Sequence, residues 1–191
     1  MFVADMHCDT IYEIYNRRLK GEKCDLSKNN LHIDAEKLDS GNYILQSFAL
    51  YVDLNNTENP YSRCMELVEL FNNQMSGDVF GLARSFSEIE ENRKAGKISA
   101  LLAVEDGGVV DGSLENLRNL YMLGVRMITL TWNYKNCIGH PNIKLIEGKK
   151  PDFYTPETNN GLTGFGIDFV REMERSGMII DVSHLSDAGF Y

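Results

Sequence analysis

Proline is scarce in this sequence, 4 in 191 residues, and tryptophan occurs once. Basic residues are the minority: 19 Lys and Arg face 28 Asp and Glu, for a formal charge of −9, and they form no stripe. Nucleic acid and anionic membrane surfaces are therefore poor partners, since both need a Lys/Arg excess. No stretch approaches the roughly 18 uncharged apolar residues needed to cross a bilayer. The opening MFVADMHCDT has neither the basic start nor the long apolar run of a signal peptide. The four cysteines (Cys8, Cys24, Cys64, Cys137) form no CxxC pair, and without an export signal they read as reduced thiols of a cytoplasmic protein. No GxGxxG or GxxxxGKS follows any apolar run, which lowers a nucleotide-binding reading. What is present is 43% hydrophobic and 10% aromatic residues, enough for one substantial core and too apolar for a disordered tail or fibrous repeat.

Apolar runs alternate with helical patterns. Phe2 to Met6 reads as a first strand, followed by Ile11, Ile14 and Tyr15 at helical spacing. Tyr43 to Val52 is a second strand. Asn59-Pro60 then opens a helix with Met65, Val68 and Phe71 on one side. Residues 79 to 84 suit a small extra strand, and Ser87 with Glu90 suits a capping box for a helix stopped by Gly96. Ile98 to Val104 is a third strand, apolar enough to be covered on both faces. Ser113 caps a helix closed by Gly124, and Arg126 to Thr131 is the fourth strand. After a long polar connection (133–160), Thr163 caps a helix with Phe165, Phe169, Val170 and Met173 inward, ended by Gly177. Met178 to Val182 is the fifth strand.

Strand–helix alternation is the grammar of a parallel sheet wrapped by helices. An open doubly wound sheet and a (β/α)8 barrel both satisfy it. A complete barrel needs about 250 residues. With five main strands in view, residues 1–191 are expected to be the N-terminal part of a single α/β barrel domain.

Ligand-type residues fall at the ends of these strands: His7 and Asp9 after the first, Glu105 after the third, His184 after the fifth. Strand C-termini of a parallel barrel open on one face, so residues far apart in sequence would converge there. Imidazoles and carboxylates suit a divalent transition metal. His-x-Asp places two ligands on one side of an extended segment and turns Cys8 away, so Cys8 reads as a small core residue. A lone carboxylate after ISALLAV is expensive to bury without a partner. His32 and His140 lie in polar connections and read as surface residues.

Single motifs here are unspecific, but their ordered set is not. His7-Cys-Asp9-Thr10, Val104-Glu105-Asp-Gly-Gly108, Gly124-Val-Arg126 leading to Thr131-Trp132-Asn133, and Gly161-Leu-Thr-Gly-Phe-Gly166 leading to Ile180-Asp181-Val-Ser-His184 resemble the membrane dipeptidase family, peptidase M19, in its bacterial branch. The resemblance implies a (β/α)8 barrel with two zinc ions that hydrolyses dipeptides through a metal-bound hydroxide. It implies His7 and Asp9 on the first zinc, Glu105 bridging both, and His184 on the second. Trp132 stands where mammalian members place a substrate-contacting histidine and is expected to line the substrate pocket. The family's second histidine on the second zinc, its carboxylate-binding arginine and its proton-transfer aspartate have no counterpart up to Tyr191. The expectation is therefore a zinc dipeptidase portion, inactive alone and prone to homo-oligomers. The alternatives are a non-catalytic, self-associating fragment and a related metallohydrolase acting on a cyclic amide or lactone.

Overall fold

A computed structural model describes residues 1–75, 78–144 and 150–191. Within the long polar connection, residues 145–149 lie outside the described residues. Contacts divide the chain into two compact units, Met1–Tyr51 with Ser62–Ala103, and Val52–Tyr61 with Val104–Tyr191.

The first unit carries strands β1 (Val3–Asp5), β2 (Tyr43–Tyr51), β3 (Phe80–Leu82) and most of β4 (Ile98–Glu105), with helices α1 (Thr10–Leu19), α2 (Ala35–Ser40), α3 (Pro60–Gln74) and α4 (Phe86–Lys94). Its strands run β1-β2-β4, with β3 also on β4, and the β1–β2 and β3–β4 pairs are parallel. The extra strand expected at residues 79 to 84 is thus present as β3. Phe48 of β2 anchors the core, 5.8 Å from Phe71 of α3 and 6.0 Å edge-on from Phe80 of β3. Ile11, Ile14, Leu38, Leu50 and Leu67 are fully buried beside it. Pro60 begins α3 as its position predicts, since the first helical residue has no intrahelical use for an N–H.

Two features differ from the sequence expectation. Helix α2 has no periodic signature; its six residues give too few periods to show a stripe, and its signal is Asp34, whose Oδ1 accepts the Lys37 N–H at 2.9 Å. The cap of α4 is Ser85 rather than Ser87. SFSEIE contains two overlapping Ser-x-x-Glu registers, and the earlier one wins: Ser85 Oγ accepts the Glu88 N–H at 3.3 Å, while Glu88 also takes the Arg84 N–H.

The second unit takes the end of β4, then β5 (Val125–Thr129) and β6 (Ile179–Asp181), with β5 and β6 parallel. Its helices are α5 (Leu114–Met122), α6 (Gly164–Ser176) and the single turn α7 (Asp187–Phe190). Leu117, Leu120, Phe169, Met173, Val125 and Ile128 form its core. Thr163 caps α6 by accepting the Gly166 N–H at 2.9 Å, and Gly177, at φ +71°, closes it in the left-handed conformation. Gly166 has a packing reason as well: a Cβ there would collide with the Ile138 carbonyl. Glu172 on α6 is gripped by Arg118 of α5 at 2.6 Å and by Arg175 at 2.7 Å, and these guanidiniums hold its carboxyl down at about 2. No helix among the described residues is long and apolar enough to cross a membrane.

Candidate metal centre

In the first unit, β1 ends at Asp5 and the chain turns into α1 through His7-Cys8-Asp9. The carboxylate of Asp5 accepts the His7 backbone N–H at 3.2 Å and tightens that turn. His7 Nε2 comes to 3.3 Å of Asp9 Oδ1, with both side chains well exposed, so the His-x-Asp pair shares one side as its spacing predicts. Cys8 between them is buried; its carbonyl accepts the Ala49 N–H of β2 at 3.0 Å, and burial pushes its thiol to about 11. A thiol held there is neutral near pH 7 and makes a poor metal ligand.

In the second unit, Glu105 is the last residue of β4 and only 7% exposed. His184 follows β6, and its Nε2 lies 3.5 Å from Glu105 Oε1. The backbone at both places is unusual. His184 sits at φ +65° and Asp106, next to Glu105, at φ +73°, a region that non-glycine residues occupy only when the surroundings impose it. Asp106 is locked by its own hydrogen bonds: Oδ1 accepts the Gly108 N–H at 2.9 Å and Asn136 Nδ2 at 2.7 Å. Burial raises its carboxyl to about 6. The glycines of Glu105-Asp-Gly-Gly are there for space, since a Cβ on Gly108 would meet Asn136 Cβ at 2.8 Å. The His184 turn is tied down from outside by the Asn142 N–H, which donates to the His184 carbonyl at 2.8 Å.

The donor chemistry fits a divalent transition metal. Each unit offers an imidazole beside a carboxylate, His7 with Asp9 in the first and His184 with the buried Glu105 in the second, and these are donor types that zinc takes. Trp132, beyond β5, is half-buried with its ring 5.5 Å from that of Tyr134.

Two residues that shape the turn after Glu105, Asp106 and Asn136, are absent from the set the sequence points to. Asn136 is hidden by distance, thirty positions along the chain, although Asp-Gly-Gly is itself a turn signal. His140, expected at the surface, is half-buried, and its carbonyl accepts the Ser186 N–H at 3.0 Å, fastening the polar connection to the segment after His184.

A parallel sheet wrapped by helices defines an incomplete α/β barrel. The family model of membrane dipeptidase, peptidase family M19, matches residues 1–191, and the chain belongs to that family. It is 38% identical over 117 residues to Dipeptidase verJ of Clonostachys rogersoniana, an overlap of 58% of this chain and 26% of that protein. Among solved structures it is similar to dipeptidase AC, a family M19 metallopeptidase, with a TM-score of 0.82 and 21% identity, covering 99% of this chain and 57% of the other. A metallopeptidase from Rhodobacter sphaeroides, solved with a phosphinate mimic of the dipeptide L-Ala-D-Ala, follows at TM-score 0.80 and 19% identity, covering 99% and 60%. The fold is thus that of these barrels, and the chain spans less than two thirds of the length of each of these relatives.

Proposed function

We propose that the chain supplies metal-binding residues of a zinc-dependent dipeptidase, as one part of a single barrel domain. His7, Asp9, Glu105 and His184 are the ligands in this reading, and Glu105 serves two ions. The observation that carries the reading is the buried Glu105 carboxylate, 3.5 Å from His184 Nε2, in a chain matched by the family model from end to end. The relatives' names and the dipeptide mimic point to a dipeptide as substrate. Bound there, zinc would polarise the scissile carbonyl and make water a nucleophile near neutral pH.

The protein's own residues do the holding and orienting. Asp5 fixes the turn that presents His7. The Asp106 turn, bonded to Asn136, fixes the backbone that follows Glu105. Asn142 fixes the backbone of His184. Trp132 offers a flat apolar face against which the substrate packs. The test is hydrolysis of a dipeptide panel by a complete barrel carrying these residues, zinc-loaded and then stripped with a chelator. Release of free amino acids that stops on stripping is expected. Turnover of cyclic amides or lactones with none of dipeptides would contradict the reading.

A further inference from the structure

In the second unit, β6 is three residues long, pairs with β5 and ends the strand order among the described residues, yet the chain after it brings His184 to 3.5 Å of Glu105. To do so His184 takes φ +65°, the left-handed conformation in which the Cβ of an L residue crowds its own carbonyl region. Such a conformation persists where the chain is held on both sides of it. On the far side, the Asn142 N–H bonds the His184 carbonyl at 2.8 Å and the Ser186 N–H bonds the His140 carbonyl at 3.0 Å.

The near side is held by Asp181, the half-buried last residue of β6. Its Oδ2 accepts Thr129 Oγ1 at 2.6 Å, and Thr129 is the buried last residue of β5. Its Oδ1 accepts both the Ser183 N–H at 2.9 Å and Ser183 Oγ at 2.7 Å. Its backbone carbonyl accepts the Leu130 N–H at 3.1 Å. One carboxylate thereby ties the end of β5 to the residue immediately before His184. By type and place, a carboxylate at this strand end could itself be a metal ligand, but its two oxygens are engaged by Thr129 and Ser183. Bonds to an ionised acceptor are the stronger kind, which suits a clamp on a strained turn.

We propose that Asp181 is the positioning residue for His184: it touches neither metal nor substrate, and it holds the turn that points the imidazole at the Glu105 carboxylate. The inference rests on the reading of His184 as a metal ligand. Residues that orient a ligand from behind contribute about tenfold or more in metal affinity.

The test is titration of the 191-residue chain with cobalt(II), followed by its visible absorption bands, in the parent, His184→Ala, Asp181→Ala and Asp181→Asn. The quantity read is the part of the binding that His184→Ala removes. Asp181→Ala is expected to weaken that part about tenfold and to move the bands toward those of His184→Ala. Asp181→Asn keeps an oxygen for Ser183, and the Thr129 hydroxyl can turn to accept from the new amide, so it is expected to restore most of the affinity and the parent's bands. A purely structural role predicts something else: a lower melting temperature, with affinity and bands like the parent's in the folded Asp181→Ala chain. That result would overturn the proposal. Should Asp181→Ala not fold, Thr129→Val and Ser183→Ala each remove one bond to the same carboxylate; about threefold weakening in either supports the clamp, and parent affinity in both overturns it. A parent that takes no cobalt, or a His184→Ala chain that takes it as the parent does, instead overturns the ligand reading of His184, and the positioning role with it.

Discussion

Glu105 reaches its position because seven buried residues of β4 precede it and a strained Asp106 turn follows it. Its carboxylate is nearly sealed from water, so its removal cannot be replaced by solvent. Glu105→Ala is expected to lose bound zinc, read by elemental analysis after dialysis; a variant that kept the parent's metal content would remove Glu105 from the site. With Trp132 packing against the substrate as proposed, Trp132→Ala in a complete barrel should raise KM several-fold, on the order of 1 kcal/mol, with a smaller fall in kcat. An unchanged KM would take Trp132 out of the pocket. The four ligand candidates are legible in the sequence because packing alone seldom gathers imidazoles and carboxylates at the ends of apolar strands. The residues that aim them are not legible. Asn136 acts on Asp106, and Asn142 on His184, through bonds that span dozens of positions and obey no local period.

Helices carry their own tests. Two serines compete for the start of α4, and Ser85 makes the bond. Ser85→Ala should therefore cost about 1 kcal/mol of unfolding stability, while Ser87→Ala stays within about 0.5 kcal/mol. Equal losses in chemical denaturation would mean that the cap is shared. Glu172 ties α5 to α6, and its folded pKa of about 2 lies below its unfolded value. The stability it contributes is thus fully present above the unfolded pKa, near about 4.3, and is lost as pH falls toward 2. Glu172→Gln should destabilise the chain at pH 7 and flatten the acid limb of the stability–pH curve across that window; an identical acid limb would refute the role of the two arginines. Caps, glycine stops and long apolar strands are readable because each is a short-range signal. The six-residue α2 and the choice between two overlapping capping registers are not, since they are settled by packing.

At the scale of the whole chain, β1 pairs with β2 and β6 with β5, and among the described residues each ends the strand order. Phe2 and Met6 near β1, and Ile179, Val182 and Phe190 around β6, are exposed. Open strand edges beside apolar side chains favour association, so light scattering on the 191-residue chain should show dimers or larger species that grow with concentration. A monomer at all concentrations would contradict that expectation. The central claim is the metal site, and equilibrium dialysis against zinc tests it most directly, with the parent compared to His7→Ala, Asp9→Ala, Glu105→Ala and His184→Ala variants of unchanged circular dichroism. The account predicts saturable zinc in the parent, reduced or abolished in each variant; zinc binding identical across all five proteins, or absent from the parent at millimolar zinc, would contradict it.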